Sequence, residues 1–224
     1  HIRAYGFHGT SHKYVSEQAS AYLQKSNAKI ISIHLGNGCS ITAVDAGKSV
    51  DTSMGFGPVS GLVMGTRAGD IDAAVIFHLI EELGYTAEKV NELLNKKSGM
   101  LGLTGSTDMR DIRKLVTEGD SNAILATDLY CYRIKKYIGS YAAILNGVDA
   151  IVFTAGVGEN ASYIREAVCN NMQWLGINLD VAKNEIRSSE IREINTDDSR
   201  VKILVIPTNE ELEIVKQCYA LLKG

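Results

Sequence analysis

KIISIHLGNGCSITAV, residues 29–44, carries the pattern that decides the fold. Ile31, Ile33 and Leu35 fall on alternate positions, which puts them on one face of an extended chain. Gly36-Asn37-Gly38 then offers three residues that tolerate positive φ, and Ser40 to Val44 resumes β-type residues, so the segment predicts a hairpin. Asp45-Ala46-Gly47-Lys48 predicts a second turn into a short strand around Val50 and Thr52. The front of the chain is therefore expected to be a three-stranded antiparallel meander.

Upstream, residues 10–25 predict a helix, with Thr10 or Ser11 as N-cap and Tyr14, Val15, Ala19, Tyr22 and Leu23 at helical spacing. Downstream, the glycine-rich run from Met54 to Asp70 is too long for a simple connector, which favours a functional loop. Asp70 is expected to cap a helix ending at Gly84, and Thr86 another ending before Gly99. A third helix is expected over about 108–117. The longest is expected over 121–146, with Ile124, Cys131, Ile134, Ile138, Tyr141 and Leu145 facing the core and Gly147 ending it. AIVFT (150–154) reads as a buried strand, AGVGEN as a loop, and a helix follows from Ala161. Residues 175–200 are less regular, with one short helix. VKILVI (201–206) reads as a strand broken by Pro207, and Thr208 with Glu211 as a capping box opening the last helix. Three antiparallel strands, helical material, then strand, helix, strand, helix predict an α/β chain with a mixed five-stranded sheet and a helical insertion. That order is the pattern of the ribonuclease-H-like lobe shared by actin, the Hsp70 chaperones and sugar kinases.

The 224 residues allow one large domain or two small ones, and 45% hydrophobic with 22% charged residues is ordinary for a globular chain. A net charge of −3 without a dense basic block argues against a nucleic-acid partner. No run of eighteen apolar residues appears and the opening residues are polar, so neither a membrane span nor a signal peptide is expected. Cys39, Cys131, Cys169 and Cys218 lie far apart without a CxxC pair, which fits reduced, buried thiols and a cytoplasmic location. The opening HIRAYGFHGTSH, with His1 in first place, reads as mid-protein sequence, so the chain is expected to be part of a longer one.

Phosphoryl transfer needs donors around phosphate oxygens, a magnesium ion and positive charge where the transferring group spreads its negative charge. Several segments suit those needs. His34-Leu35-Gly36-Asn37-Gly38 sits at a hairpin tip, where glycines let backbone N–H groups converge on an anion; alone it is also an ordinary hairpin turn. Gly156-Val157-Gly158-Glu159-Asn160 joins a buried strand to a helix, a favoured nucleotide position. GVGENA also fits a dinucleotide fingerprint and so a nicotinamide-dependent oxidoreductase. That fingerprint should open the first βαβ unit, though, and here it follows a meander. Arg67 stands between glycines in a loop, either as a solvated cation or as a guanidinium for two phosphate oxygens. His8 and His12 have helical spacing for metal but no third ligand nearby. His8, beside Gly9, is better placed to touch a ligand, while His12 reads as structural and His78 as a core histidine. Glu210 and Glu211 suit a helix dipole, and Glu210 alternatively a magnesium-bound water.

Together, YGFHGTSHKYV, HLGNGCSITAV, SMGFGPVSGLVMGTRAGDID, NKKSGMLGLTGSTDMRDI, FTAGVGEN and VIPTNEEL resemble the acetate kinase (acetokinase) family across nearly the whole chain. The resemblance implies ATP + acetate ⇌ ADP + acetyl phosphate, with ATP or ADP and Mg2+ bound, a cytoplasmic homodimer, and a place in acetyl-CoA biosynthesis. It implies that His8 stabilises the transition state with Arg67. It also implies that His34, Leu35, Gly36, Asn37 and Gly38 contact phosphate, and that Asp108, Met109 and Arg110 lie beside the adenosine. Gly156, Val157, Gly158, Glu159 and Asn160 would hold adenine and ribose, and Glu210 would serve the magnesium. Members of the family are about twice as long, a size divided into two lobes. The chain is thus expected to be the carboxy-terminal nucleotide-binding lobe (1–224). The amino-terminal lobe would bring a further phosphate loop, a catalytic aspartate and a second arginine. This lobe alone is expected to fold and bind nucleotide weakly with almost no turnover. Propionate or butyrate specificity within the family, the oxidoreductase, and a non-catalytic nucleotide-binding module are the alternatives.

Overall fold

The alternating residues of Lys29–Leu35 (β1) form the hub of a six-stranded mixed sheet in a computed structural model, which describes residues 2–223. Cys39–Asp45 (β2) pairs antiparallel with β1, and Lys48–Thr52 (β3) antiparallel with β2, so the expected meander is present. On the other side of β1 lies Ala150–Thr154 (β4), parallel to it, then Lys202–Val205 (β6), parallel to β4. Arg192–Glu193 (β5) closes that edge antiparallel to β6, giving the order β3-β2-β1-β4-β6-β5. The chain therefore has the ribonuclease-H-like topology, with one strand more than the five expected. That extra strand is two polar residues long, too short to show a period.

The pleat sorts β1 into two faces. Ile31, Ile33 and Leu35 join a core with Ile134, Ile138 and Tyr141 of the long helix Ser121–Ile144 (α6). Ile30, Ser32 and His34 point the other way, toward Gly9–Tyr22 (α1), where Val15 and Ala19 pack on Ile30 and Val152. β4 is buried along its whole length, as a strand covered on both faces must be.

Between β3 and α6 the chain forms Ala73–Glu81 (α2), Ala87–Lys96 (α3), Gly99–Thr104 (α4) and Met109–Thr117 (α5). Thr86 and Asp108 cap α3 and α5. α4 was not expected, since two of its six residues are glycine. Asp72, not Asp70, caps α2; Asp70 instead accepts from Tyr137 Oη and Gly61 N–H, both at 2.7 Å. None of the residues of α2 is buried, so His78 is exposed rather than a core histidine. Ile124 is likewise 39% exposed, off the core stripe of α6.

Beyond β4, AGVGEN is not a loop but a helix, Ala155–Asn160 (α7), followed at once by Ser162–Cys169 (α8). Val181–Glu185 (α9) is the short helix of the irregular region. The last helix, Glu210–Lys223 (α10), is capped by Asn209, whose Oδ1 accepts from Leu212 N–H at 2.9 Å. Thr208 is drawn elsewhere, so the expected capping box is not formed. Cys39, Cys131 and Cys169 are buried, but Cys218 is exposed on α10.

Candidate active site

The hairpin tip between β1 and β2 folds back on itself, Gly36 N–H donating to Gly38 O at 3.1 Å. The glycine-rich loop closes over it: Gly65 N–H donates to Asn37 O at 3.0 Å, and a Cβ on Gly65 would stand 2.2 Å from Asn37 Oδ1. A side chain there would push the Asn37 carboxamide aside and crowd Asn37 O at 3.2 Å. α4 then covers the loop, with Met100 and Leu101 N–H donating to Met64 and Gly65 carbonyls at 2.9 Å each. A cavity of about 760 Å³ opens beside this junction, within the range of small-molecule and cofactor sites.

Four separate segments meet at that cavity as three walls. Gly36, Asn37 and Gly65 form one wall; Asp108, Met109 and Arg110 a second; Gly156, Val157 and Asn160 a third. Asp108 caps α5 through Arg110 N–H at 2.8 Å, and its hydrogen bonds with the Arg110 guanidinium hold its carboxyl down at about 2. Tyr163 Oη donates to Met109 O at 3.0 Å, and the Arg113 guanidinium lies 4.6 Å over the Tyr163 ring. Both Arg113 and Tyr163 line the cavity.

β4 passes directly into α7, and the joint is made by Ala155 at φ 63°. Gly158 is buried against Phe153, while Gly156 has open space on its Cβ side. Because α7 stops after six residues, its last carbonyls lack helical partners. Arg165, 1% exposed, supplies them: Nη1 donates to Gly158 O at 2.9 Å and Glu159 O at 3.1 Å. Burial, with Arg192 close by, lowers the Arg165 pKa to about 10. Arg192 Nη2 adds a bond to Glu159 O at 2.9 Å.

On the α1 side of the sheet lie three histidines. His8 occupies the cap position of α1 in a left-handed conformation, so it is the cap residue itself and not Thr10 or Ser11. Its ring stacks on His34 with centroids 4.1 Å apart and planes inclined 12°. His8 Nδ1 meets Ser40 Oγ at 2.9 Å and His34 Nδ1 meets Ser11 Oγ at 2.9 Å. His12 lies between Ser32 Oγ (2.8 Å from Nδ1) and Ser40 Oγ (2.6 Å from Nε2), so both ring nitrogens are engaged by hydroxyls. Burial first, then the neighbouring histidines, lowers His12 to about 3, and burial with His8 lowers His34 to about 4. His8 is lowered by burial and then by Arg67. All three are neutral near pH 7.

Arg67 and His8 converge on Gly38: a Cβ there would lie 3.2 Å from His8 Nε2 and 3.4 Å from Arg67 Nη1. Among the described residues Arg67 has no carboxylate partner; Nη1 donates only to Pro58 O at 3.4 Å and Met64 Sδ at 3.8 Å. A half-buried guanidinium without a carboxylate partner, beside a neutral imidazole, is suited to an anion.

Gly36, Asn37, Asp108, Met109, Arg110, Gly156, Val157 and Asn160 line the cavity; His8, His34 and Arg67 gather instead around Gly36 and Gly38, and Gly158 is buried behind the wall. Leu35 is core and presents no side chain to the cavity. Glu159 turns away to a neighbouring cavity, where its Oε1 accepts from Thr208 N–H at 3.2 Å. Glu210 is exposed at the start of α10, two residues past Thr208. No group of three metal-ligating side chains occurs among the described residues. A single carboxylate nonetheless fits a magnesium held chiefly by phosphates and water. Sequence reading missed Ser11, Ser32 and Ser40, Tyr163, Arg165 and Asn184. The serines had a signal, being polar residues at β positions or a helix start beside histidines; Arg165 had none.

A model of the "Acetokinase family" matches residues 1–216. An acetate kinase from Flavobacterium johnsoniae is 62% identical over 223 residues, covering 100% of this chain and 56% of that protein. The crystal structure of Porphyromonas gingivalis acetate kinase superposes with a TM-score of 0.95 at 46% identity, covering 99% of this chain and 56% of that one. A propionate kinase from Francisella tularensis gives a TM-score of 0.90 at 48% identity, over 95% of this chain and 54% of the other. The chain thus spans about half the length of the relatives it matches.

Proposed function

Because the chain belongs to the acetokinase family, we propose that it is the nucleotide-binding, carboxy-terminal lobe of a kinase transferring a phosphoryl group between ATP and acetate. The observation that carries this reading is the meeting of Asn37, Gly65, Asp108, Gly156 and Asn160 around one cavity, next to an unpaired Arg67 and a neutral His8. Asp108–Arg110 and Gly156–Asn160 take the adenosine, and the Gly36–Gly38 turn takes phosphate. A carboxylate oxygen of acetate attacks the terminal phosphorus in line as the bond to the ADP oxygen breaks. Arg67 and His8 donate hydrogen bonds to the equatorial oxygens and exchange no proton with them. Magnesium would neutralise phosphate charge when bound, with Glu210 as the nearby carboxylate.

The remaining half of the enzyme completes the site, so this lobe alone binds nucleotide and turns over almost none. Exposed Ile214, Val215, Tyr219, Leu221 and Leu222 on α10 are its contact with that half. Exposed Val75, Phe77 and Leu83, on or beside α2, belong to a homodimer contact. Calorimetric titration with Mg-ATP, Mg-ADP and NADH tests the nucleotide reading: binding of NADH and not ATP overturns it. A hydroxamate assay tests the lobe reading. Activity is expected only when the rest of the enzyme is supplied, and robust turnover by the chain alone defeats it. Propionate transfer is the second reading, favoured by the similarity to the Francisella protein, and competition between the two acids in the assembled enzyme decides it.

A further inference from the structure

The side of the sheet facing α1 carries more polar chemistry than the reaction described above uses. His34 and Ser40 are register partners across β1 and β2, and Ser32 lies two residues along on the same face. With His8 and His12 of the α1 start they form one line of hydrogen bonds: Ser32 Oγ, His12 Nδ1, His12 Nε2, Ser40 Oγ, His8 Nδ1. Each neutral imidazole has one N–H and each serine one O–H, so the whole line must run in one of two directions.

The two directions are not equivalent. If His8 Nδ1–H donates to Ser40, then Ser40 donates to His12 Nε2 and His12 Nδ1–H donates to Ser32. The Ser32 hydroxyl proton is then left without an acceptor, since its only partner among the described residues is His12. Ser32 is fully buried, and a buried donor without an acceptor is the costlier kind of defect. In the opposite direction Ser32 donates to His12 Nδ1, His12 Nε2–H to Ser40, and Ser40 to His8 Nδ1. Every hydroxyl proton then has a partner, and the His8 proton sits on Nε2, on a half-buried ring beside Gly38, where solvent or an anion can accept it.

A second, shorter line reaches the same place. Thr208 Oγ1 donates to Ser11 Oγ at 2.9 Å, which leaves the Ser11 proton for His34 Nδ1 and places the His34 proton on Nε2, 3.6 Å from where a Gly36 Cβ would stand. We infer that Ser40 and Ser11 are positioning residues that fix His8 and His34 as neutral Nε2–H tautomers, making the stacked pair two aligned donors at the glycine turn. The role of that pair rests on the kinase reading, but the tautomers themselves do not.

Long-range proton–nitrogen spectra of the chain labelled with nitrogen-15 histidine, near neutral pH and without nucleotide, read the tautomers directly. His8 and His34 are expected to show a protonated-type Nε2 and an unprotonated-type Nδ1. Ser40→Ala should move the His8 nitrogens toward a mixture and leave His34 unchanged, Ser11→Ala should do the reverse, and Ser40→Thr should restore the original His8 pattern. An Nδ1–H form of His8 in the unaltered chain overturns the inference, and so does a Ser40→Ala spectrum with His8 unmoved. Should Ser40→Ala not fold, Ser32→Ala tests the same line from its far end and must also loosen the preference of His8. Absence of any shift on adding Mg-ATP would defeat the kinase reading while leaving the tautomer assignment standing.

Discussion

Arg165 and Asn184 are joined twice, Nε to Oδ1 and Nη2 to the backbone carbonyl, both at 2.7 Å, and the remaining guanidinium nitrogen of Arg165 holds the end of α7. One buried cation without a carboxylate thus cross-braces the end of α7 to α9.

Arg165→Met is expected to leave the Gly158 carbonyl without its donor, at a cost of about 2–4 kcal/mol in stability. Arg165→Lys, which cannot span four acceptors, should recover less than half of that. Denaturant unfolding of the two variants checks both, and unfolding curves matching the unaltered chain would count against the brace.

Arg67→Ala should hardly change the melting temperature, because Arg67 is in no ion pair among the described residues. In the assembled enzyme the same change should cost about a hundred- to thousandfold in turnover. It should also let the His8 pKa rise, since Arg67 is one of the two influences lowering it. A histidine titration followed by proton resonances in the variant would show this directly.

Acid should weaken the fold early. His12 and His34 have folded pKa values of about 3 and about 4, below the ordinary histidine value, so the unfolded chain takes up protons first. Their contribution is complete above about pH 6.5 and is lost as pH falls. For each histidine the loss is about tenfold in the folding constant per pH unit, until its folded pKa is reached. Thermal melts between about pH 7 and about pH 5 should show the slope, and His12→Gln should flatten it.

Two glycines should behave oppositely. Gly99 has φ 61°, and a Cβ would meet Met64 O at 2.1 Å, so Gly99→Ala should destabilise by about 1–3 kcal/mol or more. Gly156 has no atom within 4 Å of that position but lines the cavity. Gly156→Ala should fold normally and bind nucleotide more weakly. Melting curves beside calorimetric titrations separate the two effects.

Only Cys218 is exposed, while burial pushes Cys39 up to about 11 and Cys131 and Cys169 to about 12. A thiol reagent should therefore label one cysteine in the folded chain and four after unfolding, by mass spectrometry.

What could be read beforehand follows from where the information lies. The period of β1 is local, so the meander and the two-faced sheet were legible from Ile31, Ile33 and Leu35. Cap chemistry is also local, and Thr86 was found by it. Asp70 had the right residue type but was claimed by Tyr137, sixty-seven positions away, and Asp72 took the cap instead. Thr208 lost its capping role to Asn209 because Ser11, brought close by α1, is its partner. Arg165 reads as a solvated helix cation until α9 folds against it and supplies Asn184. The glycine turns of the candidate site were visible one by one, but their meeting at one cavity depends on the sheet order.

At the β4–α7 junction, Thr154 ends the strand and Ala155 begins the helix without a single residue of slack. Adding one residue between Ala155 and Gly156 would rotate the rest of α7 by about 100° about the helix axis. Gly156 and Asn160 would then swing away from Asn37 together. The segment should consequently accept changes of side chain far more readily than changes of length.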